Sequence, residues 1–202
     1  IVTNYLNLAS ICLELNDPDK ATAFAEAGLE ISRIFPDNVP AKPRADLLQV
    51  IGLSLYRRQE YNKSLVYCRE ALRIYETDKL NSVDSRILLY NTIAQVCRRL
   101  DQADDAEEYF RKGLAIKDGP MTRDKYLLYI NYANFLAENG RIREGERVMN
   151  AGLDNVGITY GRESREYFTM LVSVADFVNK SLGESDRSLD LYSQCFAYVR
   201  AN

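Results

Sequence analysis

The sequence contains no histidine and only four cysteines among its 202 residues. Histidine is the usual base beside a serine or cysteine nucleophile and a frequent metal ligand, so its absence excludes Ser-His-Asp and Cys-His sites. Cys12, Cys68, Cys97 and Cys195 are widely separated and form no C-x-x-C pair, so their spacing matches neither a zinc site nor a dithiol redox motif. We expect four free, buried thiols, which are typical of a reducing compartment and predict a cytoplasmic location.

Long apolar runs and an excess of positive charge are also missing. No apolar stretch approaches the roughly 20 residues that span a bilayer. The net charge is −3, whereas chains that bind nucleic acid usually carry a basic excess. Gly157, Gly161 and Gly183 are not followed by Lys-Ser/Thr, so they form no phosphate-binding loop. We therefore expect no enzyme activity, no cofactor, no metal, and no nucleic-acid or membrane partner.

Pairs of small residues recur along the chain, and each first member directly follows a large apolar residue. The first small residues are Ala9, Gly52, Ala94, Ala133 and Ala175, and the second small residues are Ala21, Ser64, Ala106, Gly145 and Ser188. The spacing within a pair is 12 residues four times and 13 in the fifth pair, where we expect one extra residue in the connecting turn. Each pair predicts a helical hairpin whose two helices touch at the small residues. One hairpin cannot bury both of its faces, so neighbouring hairpins must stack.

A third recurring feature is found near the end of each second helix, where a small residue directly precedes a large one. These dipeptides are Gly28-Leu29, Ala71-Leu72, Gly113-Leu114, Gly152-Leu153 and Cys195-Phe196. The whole pattern resembles the tetratricopeptide repeat, most closely in YLNLASICLELNDPDKATAFAEAGLEI and NTIAQVCRRLDQADDAEEYFRKGLAI. The fourth copy departs from it by using Gly145 where alanine is usual, and the fifth copy matches least well. The resemblance implies an all-α fold, a right-handed α-solenoid of five hairpins in one array over residues 1–202, with repeats at about 2–35, 44–77, 86–118, 125–156 and 166–200.

The period of the repeat is longer than the 34 residues of the family standard. Successive first small residues are 43, 42, 39 and 42 residues apart. The extra residues predict long second helices, from Ala21 to about Phe35 and from Ser64 to about Thr77, with helix breaks at positions such as 16–18 and 118–120. This long-period variety resembles the repeats of kinesin light chains and of bacterial repeat-bearing signalling proteins.

The resemblance also implies a concave groove lined by the first helices. The positions that map to this groove are Gln49, Leu53, Tyr56, Arg57, Asn91, Gln95, Arg98, Arg99, Ile130, Asn134, Asn179 and Lys180, with Glu138, Val172 and Asp176 on the same faces. Amide and guanidinium groups can bond peptide backbone and carboxylates, and the apolar members can form anchor pockets. The alternative is a solvated helix face without a ligand.

An acidic cluster precedes and opens the second helix of the third repeat. It consists of Asp101, Asp104, Asp105, Glu107 and Glu108. Carboxylates are stabilising near a helix N-terminus, so we favour this electrostatic role over a docking patch for a basic partner.

These observations favour a non-catalytic scaffold that binds a peptide or helix of another protein in the groove. A second hypothesis is a regulatory or sensor segment of a larger signalling protein, joined to a protease, kinase or DNA-binding domain. The chain begins at Ile1 rather than methionine, and neither end carries the polar outer face of a terminal repeat, so we expect a longer protein. Self-association through the terminal repeats is a further expectation, compatible with both.

Overall fold

The computed structural model describes residues 1–78, 82–117 and 121–201, and every regular element in these ranges is helical. The α-helices are α1 (Val2–Glu14), α2 (Pro18–Ile34), α3 (Ala41–Arg57), α4 (Tyr61–Thr77), α5 (Val83–Arg99), α6 (Ala103–Ala115), α7 (Arg123–Glu138), α8 (Ile142–Tyr160), α9 (Arg165–Phe177) and α10 (Ser185–Ala201). A 3₁₀ turn covers Pro36–Asn38, and a π-helical segment covers Val178–Leu182. The predicted all-α class with five helical hairpins is confirmed. The break predicted at 118–120 lies outside the described residues.

The chain divides into two compact units, each built from stacked hairpins. The first unit, Ile1–Ile116, contains the hairpins α1–α2, α3–α4 and α5–α6, and the second, Lys117–Asn202, contains α7–α8 and α9–α10. Within each unit a second helix packs against the following first helix, as α2 does against α3, α4 against α5, and α8 against α9. First helices also contact one another: α1 with α3, α3 with α5, and α7 with α9. In the described ranges no comparable packing joins two second helices, so within each unit the first helices form the tighter layer.

The helix boundaries follow from local sequence signals. Pro18 is the first residue of α2, where its missing N–H costs no hydrogen bond, and the Asp17 side chain caps this helix by accepting from the Lys20 backbone N–H at 3.1 Å. The observed ends of α2 and α4, at Ile34 and Thr77, agree with the predicted long second helices.

The small residues lie where the two helices of each hairpin cross. Ala9, Ala21, Ala94 and Ala106 are fully buried, and in the second hairpin the Ser64 hydroxyl donates to the Gly52 carbonyl at 2.7 Å. The fourth crossing explains the departure at position 145. A Cβ atom on Gly145 would lie only 2.6 Å from the Ala133 carbonyl oxygen, so the two backbones approach too closely for alanine.

The turn inside each hairpin has a left-handed residue at the same position in all five repeats. Its central residue has a positive φ and lies five residues before the second small residue: Asn16 (59°), Gln59 (63°), Asp101 (59°), Gly140 (77°) and Gly183 (70°). In the first four turns the next backbone N–H donates to the carbonyl five residues earlier, as Asp17 does to Cys12 at 2.8 Å and Gln102 to Cys97 at 2.9 Å. This left-handed residue with its long-reaching bond is the Schellman arrangement that ends a helix.

The extra residue of the fifth repeat lies in the helix, so its predicted position in the turn is wrong. The left-handed residue follows the first small residue by seven positions in the first four repeats and by eight in the fifth. The additional residue widens the end of α9 into the π-helical segment Val178–Leu182, where the Gly183 N–H bonds to the Val178 carbonyl. Ser188 must lie at the helix crossing, so the number of residues between the left-handed residue and Ser188 is unchanged. The extra residue is accommodated in the helix instead.

We predict that Gly145→Ala lowers the free energy of unfolding by about 2 kcal/mol, because the added methyl group overpacks a contact with rigid backbone. Urea denaturation followed by circular dichroism measures the change. Gly157→Ala on the same helix is the matched control, since its nearest neighbours are side-chain atoms at 3.3 Å and alanine has the higher helix propensity. Equal losses for the two variants would contradict the explanation.

We also predict that deletion of Lys180 is tolerated, because it restores the 12-residue spacing and lets α9 continue as an ordinary α-helix to Gly183. Deletion of Glu138, at the end of α7, is the control. It shortens a regular spacing and rotates the following turn by about 100°, so we expect a large loss of stability. Thermal unfolding measures the stability of both variants. Equal losses of stability would show that the π-helical segment does not contain the extra residue.

Candidate functional site

The predicted groove residues lie on one face of each first helix. Relative to the first small residue, positions −3, +1 and +5 are four residues apart and lie on one stripe of the helix. We call this stripe, with the adjoining position +4, the groove stripe. Its +5 residue is exposed in every repeat: Glu14, Arg57, Arg99, Glu138 and Lys180. The predicted groove residues therefore belong to one register, of which position +5 is exposed in every first helix.

In the first unit, α3 brings an apolar pair and an arginine to the groove stripe. Leu53 and Tyr56 are half-buried, and Arg57 is exposed. Arg57 Nη1 donates to the Leu13 carbonyl oxygen and lies 3.5 Å from Asn16 Oδ1, so it satisfies a carbonyl at the C-terminus of α1. This guanidinium joins the first two repeats, a role that the sequence pattern did not reveal.

Helix α5 contributes the most buried members of the groove stripe. Asn91 and Gln95 are each only 9% exposed, which leaves little of either side chain for a partner. Arg98 is half-buried, and its Nη1 donates to Gln95 Oε1 at 3.1 Å. Arg99 is exposed and forms no ion pair or hydrogen bond with a described residue. The part of α5 that is open to a ligand is therefore its C-terminal turn.

Gln49, one turn before Leu53, carries an unsatisfied polar atom. The residue is half-buried, and its Oε1 is fully covered and lacks a hydrogen-bond partner among the described residues. A buried acceptor without a partner costs about 1–3 kcal/mol, so this amide lowers the stability of the first unit.

In the second unit, the groove stripe combines half-buried side chains on α7 with exposed ones at the end of α9. Ile130 and Asn134 are half-buried, whereas Asn179 and Lys180 are exposed on the π-helical segment. Asn179 Oδ1 accepts from the Ser185 hydroxyl at 3.5 Å. The 13-residue spacing was the only sequence signal that this part of the stripe departs from the others.

Asp176, on the same face of α9, is engaged by its own hairpin. The Tyr192 hydroxyl donates to Asp176 Oδ1 at 2.5 Å, and this bond to a carboxylate raises the pKa of the phenol. The carboxylate is thereby held against α10 and contributes to the hairpin contact.

Charges on the second helices are paired within and between repeats. Arg69 on α4 contacts Asp105 on α6 at 3.1 Å, and Arg187 on α10 contacts Glu146 on α8 at 2.6 Å. The hydrogen bond from Arg187 is the main reason that the pKa of Glu146 is lowered. Exposed ion pairs contribute little stability each, but these two tie successive second helices together.

The predicted acidic cluster behaves as helix-end and helix-surface electrostatics. Asp104 and Asp105 lie in the first turn of α6, where the helix dipole favours negative charge. Glu107 and Glu108 pair with Arg111 and Lys112 one turn later, each at 2.5 Å. Because most of its charges are matched locally, the cluster offers a basic partner little unpaired charge.

The four thiols are free, and the structure separates one from the other three. Cys68, Cys97 and Cys195 are buried, whereas Cys12 is half-buried, so the prediction of four buried thiols is wrong at Cys12. Burial raises the pKa of the Cys68 thiol to about 12. Residues 1–78, 82–117 and 121–201 contain no cluster of cysteine and acidic side chains suited to holding a metal ion.

We predict that iodoacetamide modifies Cys12 first in the native protein, because the other three thiols require unfolding to be reached. Peptide mass spectrometry at successive times identifies the alkylated sites. The Cys12→Ser variant should remain unlabelled until urea is added, after which three sites should react. Rapid labelling of Cys68 in the native state would contradict this burial.

The repeat geometry agrees with the comparisons to known proteins. Two sequence models, each described as "Tetratricopeptide repeat", match residues 2–35 and 44–118, which together are more than half of the chain. The chain belongs to the tetratricopeptide repeat family. No curated protein sequence matches it. Among the described residues, none of the helices of this repeat protein combines the length and apolar character needed to cross a bilayer.

Solved structures with the same fold include a putative kinesin light chain from Podosopora anserina with nearly identical tetratricopeptide-like repeats. It is 13% identical, with a TM-score of 0.75, over 98% of this chain and 93% of that one. The Rap conjugation gene regulator of plasmid pLS20, solved in complex with the Phr* peptide, is 16% identical with a TM-score of 0.72 over 98% of this chain and 53% of that one. YrrB, described as a tetratricopeptide repeat protein with an unusual peptide-binding site, is 18% identical with a TM-score of 0.53 over 88% and 87%. At these identities the likeness establishes the fold alone.

Proposed function

We propose that this chain is a non-catalytic protein-interaction module whose groove stripe binds an extended peptide or a helix of a partner protein. The observation that carries the proposal is the exposure of position +5 in every first helix beside half-buried apolar side chains such as Leu53 and Tyr56. A row of charged and apolar groups in one register is suited to a peptide that runs across the successive first helices of one unit. The proposal assigns no role to a cofactor.

Charge distribution adds support in the first unit. The paired charges on the second helices contrast with Arg99, which forms no ion pair with a described residue. An acidic or carboxylate-bearing peptide would complement this arginine. Peptide binding by the Rap regulator and YrrB, named in their descriptions, is consistent with this use of the fold.

A second candidate is that the chain is the regulatory or sensor segment of a larger signalling protein. The observation that favours it is the similarity to the Rap regulator, in which the matching region is 53% of the chain. In that case binding at the groove stripe would alter the stacking of hairpins and report to a protease, kinase or DNA-binding domain. The three buried thiols support a reducing, cytoplasmic location for either function.

We expect Arg99→Glu to reduce partner capture at least about tenfold, because a like charge replaces the cation that faces an acidic peptide. Affinity capture from a lysate with quantitative mass spectrometry measures the loss for each recovered protein. Arg73→Glu is the matched control, since Arg73 is also exposed but lies on the second helix α4. If both charge reversals lowered capture equally, or neither did, the groove stripe would not be the binding surface.

A further inference from the structure

A cavity in the second unit lies where two successive first helices begin and the second helix between them ends. Its volume is about 420 Å³, which falls within the roughly 300–1,000 Å³ of small-ligand pockets. Arg123 is the first residue of α7 and Arg165 the first residue of α9, and both lie ten positions before the first small residue of their repeat. These two equivalent arginines border one cavity. The residues that line it are Arg123, Tyr126, Tyr160, Arg165, Glu166 and Thr169.

Contacts outside the cavity hold its walls in place. The Tyr160 hydroxyl, at the end of α8, donates to the backbone carbonyl of Met121, a residue that is 4% exposed in the core of the unit. The Ser164 side chain caps α9 by accepting from the Tyr167 backbone N–H at 3.1 Å, and this cap fixes the start of the helix at Arg165. The backbone that carries Tyr160 and Arg165 is therefore positioned by the fold.

The two arginines of the cavity lack partners within the protein. Neither the Arg123 nor the Arg165 guanidinium forms an ion pair or hydrogen bond with a described residue, whereas Arg143 and Arg187 on the surface of the same unit are both paired. The helix dipole disfavours a positive charge at the first residue of a helix, so an anion beside these arginines would offset an unfavourable arrangement. Glu166 is the acidic member of the lining, which therefore carries a net positive charge.

The corresponding cavity of the first unit has a different chemistry. It lies at the junction of α1, α2 and α3, has a volume of about 280 Å³ and is lined mainly by apolar residues, among them Ile31 and Phe35. The residue of α3 in the position of the two arginines is Lys42, and it pairs with Asp46 at 2.9 Å. Of these two cavities, the one in the second unit is therefore suited to an anion.

We propose that the cavity of the second unit, which we call the arginine pocket, binds the phosphoryl group of an organic phosphomonoester. Guanidinium groups bind phosphoryl oxygens through paired hydrogen bonds, and the Tyr126 hydroxyl, which has no partner among the described residues, is a further donor. A phosphoryl group carries a charge of about −1.5 to −2, which offsets the positive lining. The Tyr160 ring offers an apolar wall to the organic part of the ligand. The arginine pocket contains no groove-stripe residue, so this site is separate from the proposed peptide groove.

Isothermal titration calorimetry of the full chain with phenyl phosphate tests the proposal. We expect one-to-one binding, and Arg123→Gln and Arg165→Gln should each raise the dissociation constant at least about tenfold, because each removes a charge-assisted contact. Glu166→Gln should lower the dissociation constant about threefold, because it removes a charge of the same sign as the ligand. Arg147→Gln is the matched control, since Arg147 is also exposed in the second unit but lies on α8 outside the arginine pocket, and it should bind like the parent chain.

Titrations with other ligands identify the class and source of the phosphomonoester. Inorganic phosphate should bind more weakly than phenyl phosphate because it lacks the organic part, and benzoate should bind more weakly because it carries a single charge. A phosphotyrosine peptide that binds as tightly as phenyl phosphate would identify a side chain of a partner protein as the source, and its exclusion would identify a free small molecule. Absence of saturable phenyl phosphate binding, equal weakening by Arg147→Gln, or tighter binding of benzoate would overturn the proposal. Circular dichroism confirms that each variant is folded.

Discussion

The close approach of two helices at paired small residues is the contact on which the rest of this structure depends. In the second hairpin the backbones of α3 and α4 are close enough for the Ser64 hydroxyl to donate to the Gly52 carbonyl, and no larger side chain fits there. The small residues in the sequence therefore specify where the helices cross. Once the crossing is set, the distance around the hairpin determines where the turn must fall. The left-handed residue lies five positions before the second small residue in all five repeats, which makes the turn and the crossing one geometric unit.

The fifth repeat shows how strictly this unit is preserved. An added residue could have enlarged the loop, but the left-handed Gly183 keeps its place five residues before Ser188, and α9 is followed by a π-helical segment. A wider helical turn still satisfies its backbone hydrogen bonds, whereas a displaced Ser188 would open the buried crossing. The π-helical segment contains Asn179 and Lys180, which are two of the predicted groove residues.

The first and second helices differ in how their charged side chains are used. Second helices carry charges that are paired along the stack, as at Arg69 and Asp105, while first helices keep an exposed charged position in every repeat.

The sequence by itself determined the number of hairpins, the crossing residues and most helix ends, because these depend on side-chain size, proline and short-range spacing. It also places the predicted groove residues on one helical register, since that register follows from helical periodicity, and their use as a binding surface stays a prediction. Only the tertiary structure decided that the inserted residue enters α9, that Arg57 is engaged by the Leu13 carbonyl and that Gln95 is almost fully covered. These features depend on contacts between segments that are far apart in the chain. Local sequence permits more than one conformation at each of these positions, and packing against neighbouring helices selects one of them.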